Sequence, residues 1–288
     1  MKTYFLFLYL ALNIFNYLIS TNKDTSPIYD KKIVDTTFYS LPQYKLSTCK
    51  ISKNFSSMIT SIFCYLLMED VSKSKYNHLA DFKWDFKKCT SMMSYKSLPK
   101  MIKSLGFRNE EEFNNSWYLF LIIRNPIERF VSGYVDKCMQ PLRLKKATKM
   151  CLYCKGNPKC FVNRLYAILN SGVKHQRSIY NGVKNHFFPQ TLQCNYYKHK
   201  NTYKIVYYES KKLHLFYDSL EHLLISRNVS TDKVEYIRKE MRNFKIHHAT
   251  YDREITAKFT SNLYNDTSIM KKLIHIYNAD FQEWNFHI

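Results

Sequence analysis

Apolar residues fall along this chain in two rhythms. One is the short strand-like stretch, at residues 44–49, 117–123 and 203–208, unbroken in the second of them. Trp117-Tyr-Leu-Phe-Leu-Ile-Ile123 has no charged or amide member, as expected of a parallel strand covered on both faces. Tyr203-Lys-Ile-Val-Tyr-Tyr208 is rich in β-branched and aromatic residues, which suit a pleated surface. The other rhythm is helical. Phe55, Met58, Ile59, Ile62, Phe63, Leu66 and Leu67 recur every third or fourth position and predict an amphipathic helix after the first strand. Asn125-Pro126-Ile127-Glu128 predicts another helix start, in which Asn caps, Pro occupies the first turn and Glu completes a capping box. Similar patterns predict helices over 211–224, 231–243 and 267–279. Strands alternating with helices predict an α/β fold with a central, mostly parallel sheet flanked by helices. Ligands of such sheets sit at the carboxyl ends of strands, beside helix N-termini.

The first apolar stretch has a different character. Met1-Lys2-Thr3 leads into residues 4–19, where Asn13 and Asn16 are the strongly polar interruptions, and residues 20–24 are polar again. That order is the order of a secretory signal. The run is short beside the roughly 20 apolar residues of a membrane span. Two readings stay open for residues 1–23: a cleaved signal peptide, or a short type II signal-anchor holding the chain to a membrane through residues 4–19. Residues 24–32 then form a stem, and 33–288 one domain without repeats or a flexible linker. Either reading places the domain in the Golgi lumen or outside the cell.

Eight cysteines suit an oxidising compartment: Cys49, Cys64, Cys89, Cys138, Cys151, Cys154, Cys160 and Cys194. Cys151-x-x-Cys154, with Cys138 and Cys160, also admits a zinc site. No second Cys-x-x-Cys follows, so disulfides of unassigned pairing are expected, and no metal. Glycosylation sequons stand at Asn54, Asn114, Asn228 and Asn265. The formal charge of +21 attracts polyanions. Nucleic acid is the least suited of these, because the leader opposes it and base-stacking motifs are missing. Arg143-Leu-Lys-Lys146 and Lys271-Lys272 are candidate contacts for an acidic glycan.

Two strand–loop–helix junctions carry the candidate chemistry. The first is Cys49-Lys-Ile-Ser-Lys53-Asn54-Phe-Ser56-Ser57. A helix N-terminus offers unpaired N–H groups and about half a positive charge. Lys53, Asn54, Ser56 and Ser57 would complete a cradle for a phosphate or sulfate group. The glycine-rich ATP-binding loop is absent. The second junction is Arg124-Asn125-Pro-Ile-Glu-Arg129-Phe-Val-Ser132-Gly-Tyr134. Here guanidinium groups and a hydroxyl can converge on one phosphate. Ordinary capped helices with solvated cations are the plain alternative at both places.

The second junction resembles the 3′-phosphate-binding motif of Golgi carbohydrate sulfotransferases, Arg-(Asp/Asn)-Pro-x-x-Arg-(Phe/Leu)-x-Ser-x-Tyr. The Lys53 loop resembles their 5′-phosphosulfate loop. Asp136-Lys137-Cys138, Cys151-x-x-Cys154-x-x-Asn157-x-x-Cys160-Phe161 and His186-Phe-Phe-Pro-Gln190-x-x-x-Cys194 continue the likeness. It extends over residues 33–288 and points to the invertebrate branch of the group containing chondroitin 4-sulfotransferases. The resemblance implies a P-loop-like sulfotransferase fold with 3′-phosphoadenylyl sulfate (PAPS) as donor. It implies an acidic glycan or glycoprotein acceptor, with 4-O-sulfation of GalNAc in a chondroitin-type glycosaminoglycan as the best match. By the same resemblance, Lys53, Ser56 and Ser57 hold the 5′-phosphosulfate, with Lys53 as the catalytic cation. Arg124 and Ser132, joined by Arg129 of the same motif, hold the 3′-phosphate. His186 is the expected general base, with His247, His248 and Glu209 as rivals. Ser52 stands where many members have Pro, the loop lacks their Gly, and Asn125 replaces the common Asp. Asn125 still caps a helix, so the two loop departures are what leave one alternative, a catalytically inactive lumenal glycan-binding relative of the same fold.

Overall fold

The computed structural model describes residues 34–69, 76–82, 87–139, 148–244, 250 and 253–287. The leader, the whole stem, the patch at 143–146, His247 and His248 lie outside the described residues. In chain order the strands are β1 (Phe38–Leu41), β2 (Leu46–Cys49), β3 (Ser94–Tyr95), β4 (Tyr118–Arg124) and β5 (Lys204–Tyr208). The helices up to β4 are α1 (Ser56–Leu67), α2 (Lys87–Met93), α3 (Leu98–Ser104) and α4 (Glu110–Asn114). Between β4 and β5 come α5 (Pro126–Cys138), α6 (Pro158–Leu169), α7 (Val173–Ser178), α8 (Asn181–Phe187) and α9 (Tyr196–His199). After β5 follow α10 (Leu213–Ser226), α11 (Thr231–Asn243), α12 (Glu254–Asn265), α13 (Thr267–Ile276) and α14 (Asn278–Trp284).

The sheet order is β3-β1-β2-β4-β5. β2, β4 and β5 run parallel, and they are the three strands that the apolar runs predict. β1 pairs antiparallel with both of its neighbours. β1, four residues, and β3, two residues, are not among the strands that the sequence predicts.

β4 shows why the unbroken apolar run was needed. Phe120 and Ile122 enter a core with Met58, Ile62, Phe63, Leu220 and Ile237. Leu119, Leu121 and Ile123 enter a second core with Phe38, Leu98, Phe113 and Trp284. Successive side chains point to opposite faces, so a strand between two cores admits no polar position. Each such side chain contributes about 1.5–3 kcal/mol by leaving water. A third core joins α5, α6, α8 and α13 through Phe130, Phe161, Phe187 and Leu273.

All eight cysteines are paired, as Cys49–Cys194, Cys64–Cys89, Cys138–Cys151 and Cys154–Cys160. The candidate zinc set is therefore two disulfides. The helix expected over 267–279 breaks at Tyr277, leaving α13 and α14. Tyr277 is fully buried and its hydroxyl donates to the Phe187 carbonyl at 2.7 Å, which turns the chain toward α8.

Candidate active site

Between β2 and α1 the loop contains two left-handed residues, Lys53 (φ 73°) and Phe55 (φ 59°), although it has no glycine. Such backbone costs on the order of 1–3 kcal/mol per residue and persists where the surroundings enforce it. Four anchors enforce it here. The Asn54 amide donates to the Ile122 carbonyl at 2.8 Å and to Gln190 Oε1. Arg129 Nε donates to the Ser52 carbonyl at 3.0 Å, and Arg124 Nη1 to the Lys53 carbonyl at 3.2 Å. The Phe55 ring packs edge-on against Phe216, their centroids 4.9 Å apart. α1 then starts with no side-chain cap, and Ser56 and Ser57 sit half-buried in its first turn. An uncapped N-terminus beside an ammonium is a receptor for an anion.

Lys53 Nζ lies 3.1 Å from Asp136 Oδ2, and Lys137 Nζ lies 2.7 Å from the same oxygen. Burial pushes the Lys53 ammonium down to about 8; Asp136 pulls it back up, while Lys137 and Arg124 push it further down. For Asp136, burial alone would raise the carboxyl. Lys53 and Lys137 overcome that effect and hold it at about 2.

The second junction is closed by its own side chains. Asn125 Oδ1 accepts from the N–H groups of Ile127 (2.9 Å) and Glu128 (3.3 Å), with Pro126 opening α5. Glu128 forms no capping box. Its Oε2 lies 3.3 Å from Arg124 Nε instead. The Arg124 guanidinium lies 4.8 Å from the centroid of the Tyr208 ring at the end of β5. Asn125 Nδ2 donates to the His287 carbonyl at 2.9 Å, a bond that the common Asp cannot make. The Ser132 hydroxyl lies 2.9 Å from that of Thr250, both buried.

Two expected nucleotide contacts have other tasks in the resting molecule. Arg129 is fully buried. Besides Ser52, it donates to the carbonyls of Phe188 and Asn185, both at 2.9 Å. A guanidinium divided among three carbonyls inside the protein braces the loop and does not face a ligand. Asn54 is buried and its amide nitrogen is committed to the two acceptors already named, so it anchors the loop.

Gln190 and Asp280 were not anticipated as a pair. Fully buried Gln190 accepts from the Arg124 N–H (3.0 Å) and donates to the Arg124 carbonyl (2.8 Å), besides accepting from Asn54. Its backbone N–H donates to Asp280 Oδ2 at 2.8 Å. Asp280 also accepts from the Thr191 N–H (2.9 Å) and hydroxyl (2.8 Å). Burial pushes the Asp280 carboxyl up, against these donors and the nearby Arg129. One glutamine thus ties the end of β4 to the Lys53 loop, and α14 holds the glutamine. The His-Phe-Phe-Pro-Gln motif was the signal for Gln190; Asp280 has none in its own segment.

His186 is buried in α8, with Nδ1 2.7 Å from the Gly182 carbonyl. A carbonyl only accepts, so Nδ1 carries the proton and Nε2 keeps a lone pair. Burial lowers its pKa to about 3, the Gly182 bond opposes this, and Lys137, Lys53 and Arg129 add to the lowering. Those cations place His186 in the field of the Lys53 cluster. Gly133 allows the approach of α8, since a Cβ there would lie 3.0 Å from the Phe187 ring and 3.4 Å from the His186 carbonyl. Glu209 directly follows Tyr208, whose ring meets Arg124. It is exposed beyond β5, 3.5 Å from Lys212, and lines a cavity of about 490 Å³ with Tyr207, Leu215 and His222.

An α/β sheet whose adjacent parallel strands end in a lysine-bearing, uncapped turn and an arginine-bearing, capped turn suits the binding of an anionic group. The chain belongs to the sulfotransferase family, whose model matches residues 36–287. It is 27% identical over 262 residues to an uncharacterized protein of Caenorhabditis elegans, covering 88% of this chain and 69% of that protein. It is 25% identical over 260 residues to the carbohydrate sulfotransferase chst-1 of the same organism, covering 88% of this chain and 76% of that protein. No solved structure matches the chain at a significant level.

Proposed function

We propose that this sulfotransferase takes PAPS as donor and sulfates a hydroxyl of a glycan, with 4-O-sulfation of GalNAc in a chondroitin-type acceptor as the first reaction to test. One observation carries the reading: Arg124 Nη1 grips the carbonyl of Lys53 itself, at 3.2 Å. A donor with two anionic ends needs two receptors a fixed distance apart, and this bond couples them. Lys53, Ser56, Ser57 and the first turn of α1 suit the 5′-phosphosulfate. Arg124 suits the 3′-phosphate, with Ser132 reaching it by giving up Thr250. The charge of +21 favours an acidic acceptor. The four disulfides favour an oxidising lumen, Golgi or extracellular.

In the transfer, the acceptor oxygen forms a new bond to sulfur. The sulfur–oxygen bond to the 5′-phosphate breaks, and its electron pair stays on the phosphate. Lys53 donates a hydrogen bond to that departing oxygen, where charge develops. His186 Nε2 takes the proton from the acceptor hydroxyl. At a pKa of about 3, His186 is a weak base in the resting protein. A bound anionic donor opposes the cations that lower it, so donor first and acceptor second is the expected order.

The pH dependence has a defined sign. Neutral His186 is the working form, and protonation removes it only toward pH 3. Protonated Lys53 is the working form, and deprotonation removes it as pH rises through about 8. The kcat/KM profile should therefore lack an acid limb near the ordinary histidine value and should fall above about 8. His186→Ala should lower kcat roughly 10²–10⁴-fold and spare donor binding; a near-normal rate would exclude it as the base.

The experiment is transfer of labelled sulfate from PAPS to desulfated chondroitin, dermatan, heparan and N-glycan acceptors, with binding of the bisphosphate product PAP measured by calorimetry. Label on chondroitin supports the full reading, and label on another glycan corrects the acceptor. PAP binding with no transfer to any glycan would favour the inactive glycan-binding relative. Failure to bind PAP would overturn the proposal.

A further inference from the structure

We infer that Asp136 is a positioning residue for sulfate transfer: it parks the Lys53 ammonium beside the reactive-end loop, shares one carboxylate oxygen between Lys53 and Lys137, and releases Lys53 to the departing oxygen of the donor. The inference rests on the reaction proposed above and assigns a task to a residue pair that the reaction scheme leaves idle.

Geometry supports it first. Asp136 lies one turn beyond Ser132, so both project from the same face of α5. The side chains of Lys53, Asp136 and Lys137 are 10%, 5% and 12% exposed. At that burial an ammonium without a counter-charge is costly. Both lysines approach the single oxygen Oδ2, at 3.1 and 2.7 Å, so they compete for it. A shared pair is easier to leave than an exclusive one.

The backbone of Lys53 cannot swing. Its φ is 73°, its carbonyl is held by Arg124, and its neighbour Asn54 is bound to β4 and Gln190. Motion is left to the side chain, which turns from Asp136 toward the first turn of α1. No proton changes hands in that swing, since Lys53 stays an ammonium throughout. Asp136 also favours that ammonium form against burial, whereas Lys137 from α5 and Arg124 from β4 oppose it. His186 on α8 is neutral and adds no charge, and Arg129 is committed to three carbonyls.

A purely structural salt bridge would predict lost stability and an unchanged titration of activity. A positioning role predicts shifts of opposite sign from the two neighbours of Lys53. The full chain and its Asp136→Asn and Lys137→Gln variants are compared in two ways. The first is the pH profile of kcat/KM for PAPS, which reports the free enzyme. The second, without donor, is the pH dependence of Lys53 acetylation by acetic anhydride, read by mass spectrometry. In Asp136→Asn, the alkaline limb and the labelling midpoint should both move to lower pH. Its kcat should fall about tenfold or more while donor affinity stays within about threefold. In Lys137→Gln, which hands Oδ2 to Lys53, both should move to higher pH. Wild-type positions in both variants would overturn the inference, as would a loss of rate that only tracks melting temperature. If Asp136→Asn does not fold, Lys137→Gln alone decides by the sign of its shift. A wild-type chain that transfers nothing from PAPS sinks the reaction, yet the labelling shifts still test the bond between Asp136 and Lys53.

Discussion

The two junctions use the same parts, a parallel strand, a tight turn and a helix, and finish them differently. After β2 the turn passes through two left-handed residues, its helix has no side-chain cap, and its lysine titrates near 8. After β4 the helix is capped by Asn125, opened by Pro126 and lined by an Arg124–Glu128 pair. The first holds strain and unpaired donors, whereas the second has satisfied its own groups. Charge changes during transfer only at the reactive end of a donor, so open donors are useful there. The other end must only recognise a group whose charge is constant, and a prebuilt site does that at the least cost in ordering. Gln190 then fixes the spacing between the responsive turn and the rigid one.

The largest effect should come from breaking the two ends separately. Lys53→Ala should lower kcat about 10²–10³-fold, the usual loss for a donor that meets developing charge. PAP affinity should change less than about tenfold, because the α1 terminus, Ser56 and Ser57 remain. Arg124→Ala should act mainly on binding, weakening PAP about 10–100-fold, as expected when a charge-assisted contact worth about 1.5–3 kcal/mol is lost, with a smaller fall in kcat because the Lys53 carbonyl loses its donor. Calorimetry with PAP and initial rates at saturating donor separate the two parameters. Equal losses in the same parameter would refute the division of labour.

Much of this contrast was legible in the chain. β4 lies within one residue of its apolar run, α11 matches its predicted span, and Asn125 caps as its type and position suggest. What escaped was whether a polar side chain faces a ligand or the protein. Arg129 and Asn54 sit in the motifs beside Arg124 and Lys53, and residue type alone cannot distinguish a guanidinium that meets phosphate from one that meets carbonyls. Long-range partners were hidden for a simpler reason. Gln190 meets Asp280 across 90 residues, and Cys49 meets Cys194 across 145, so no local periodicity encodes either contact. The loop has no glycine, yet packing around Phe55 and the Asn54 anchor hold its left-handed turn.

An intermediate effect tests the tie between the junctions. Gln190→Ala removes side-chain bonds to Asn54, Arg124 and Asp280 and leaves buried groups without partners. Orphaned buried groups cost about 1–3 kcal/mol each, with partial relaxation, so the variant should lose about 2–4 kcal/mol in urea unfolding. Both ends should suffer together, with kcat falling and PAP binding weakening by similar modest factors. A variant that weakens one end and spares the other would show that Gln190 serves a single junction.

The smallest effect belongs to Asn125, where Asp is the commoner residue. Asn125→Asp keeps a side-chain oxygen for the N–H groups of Ile127 and Glu128, and Asp and Asn cap about equally well. The new charge at the start of α5 should contribute about 0.3–1 kcal/mol through the helix dipole. Against that, the bond to the His287 carbonyl is lost, and a carboxylate oxygen then faces a carbonyl, a penalty of about 0.5–1.5 kcal/mol. The terms nearly cancel, so stability should move by less than about 1 kcal/mol in either direction. Donor affinity should fall only slightly, because the added negative charge lies next to Arg124 and opposes an incoming phosphate. Thermal melting and PAP calorimetry on the same preparation measure both quantities. A loss of affinity as large as that of Arg124→Ala would mean that the capped turn responds to charge as the open one does, and the contrast between the two would fail.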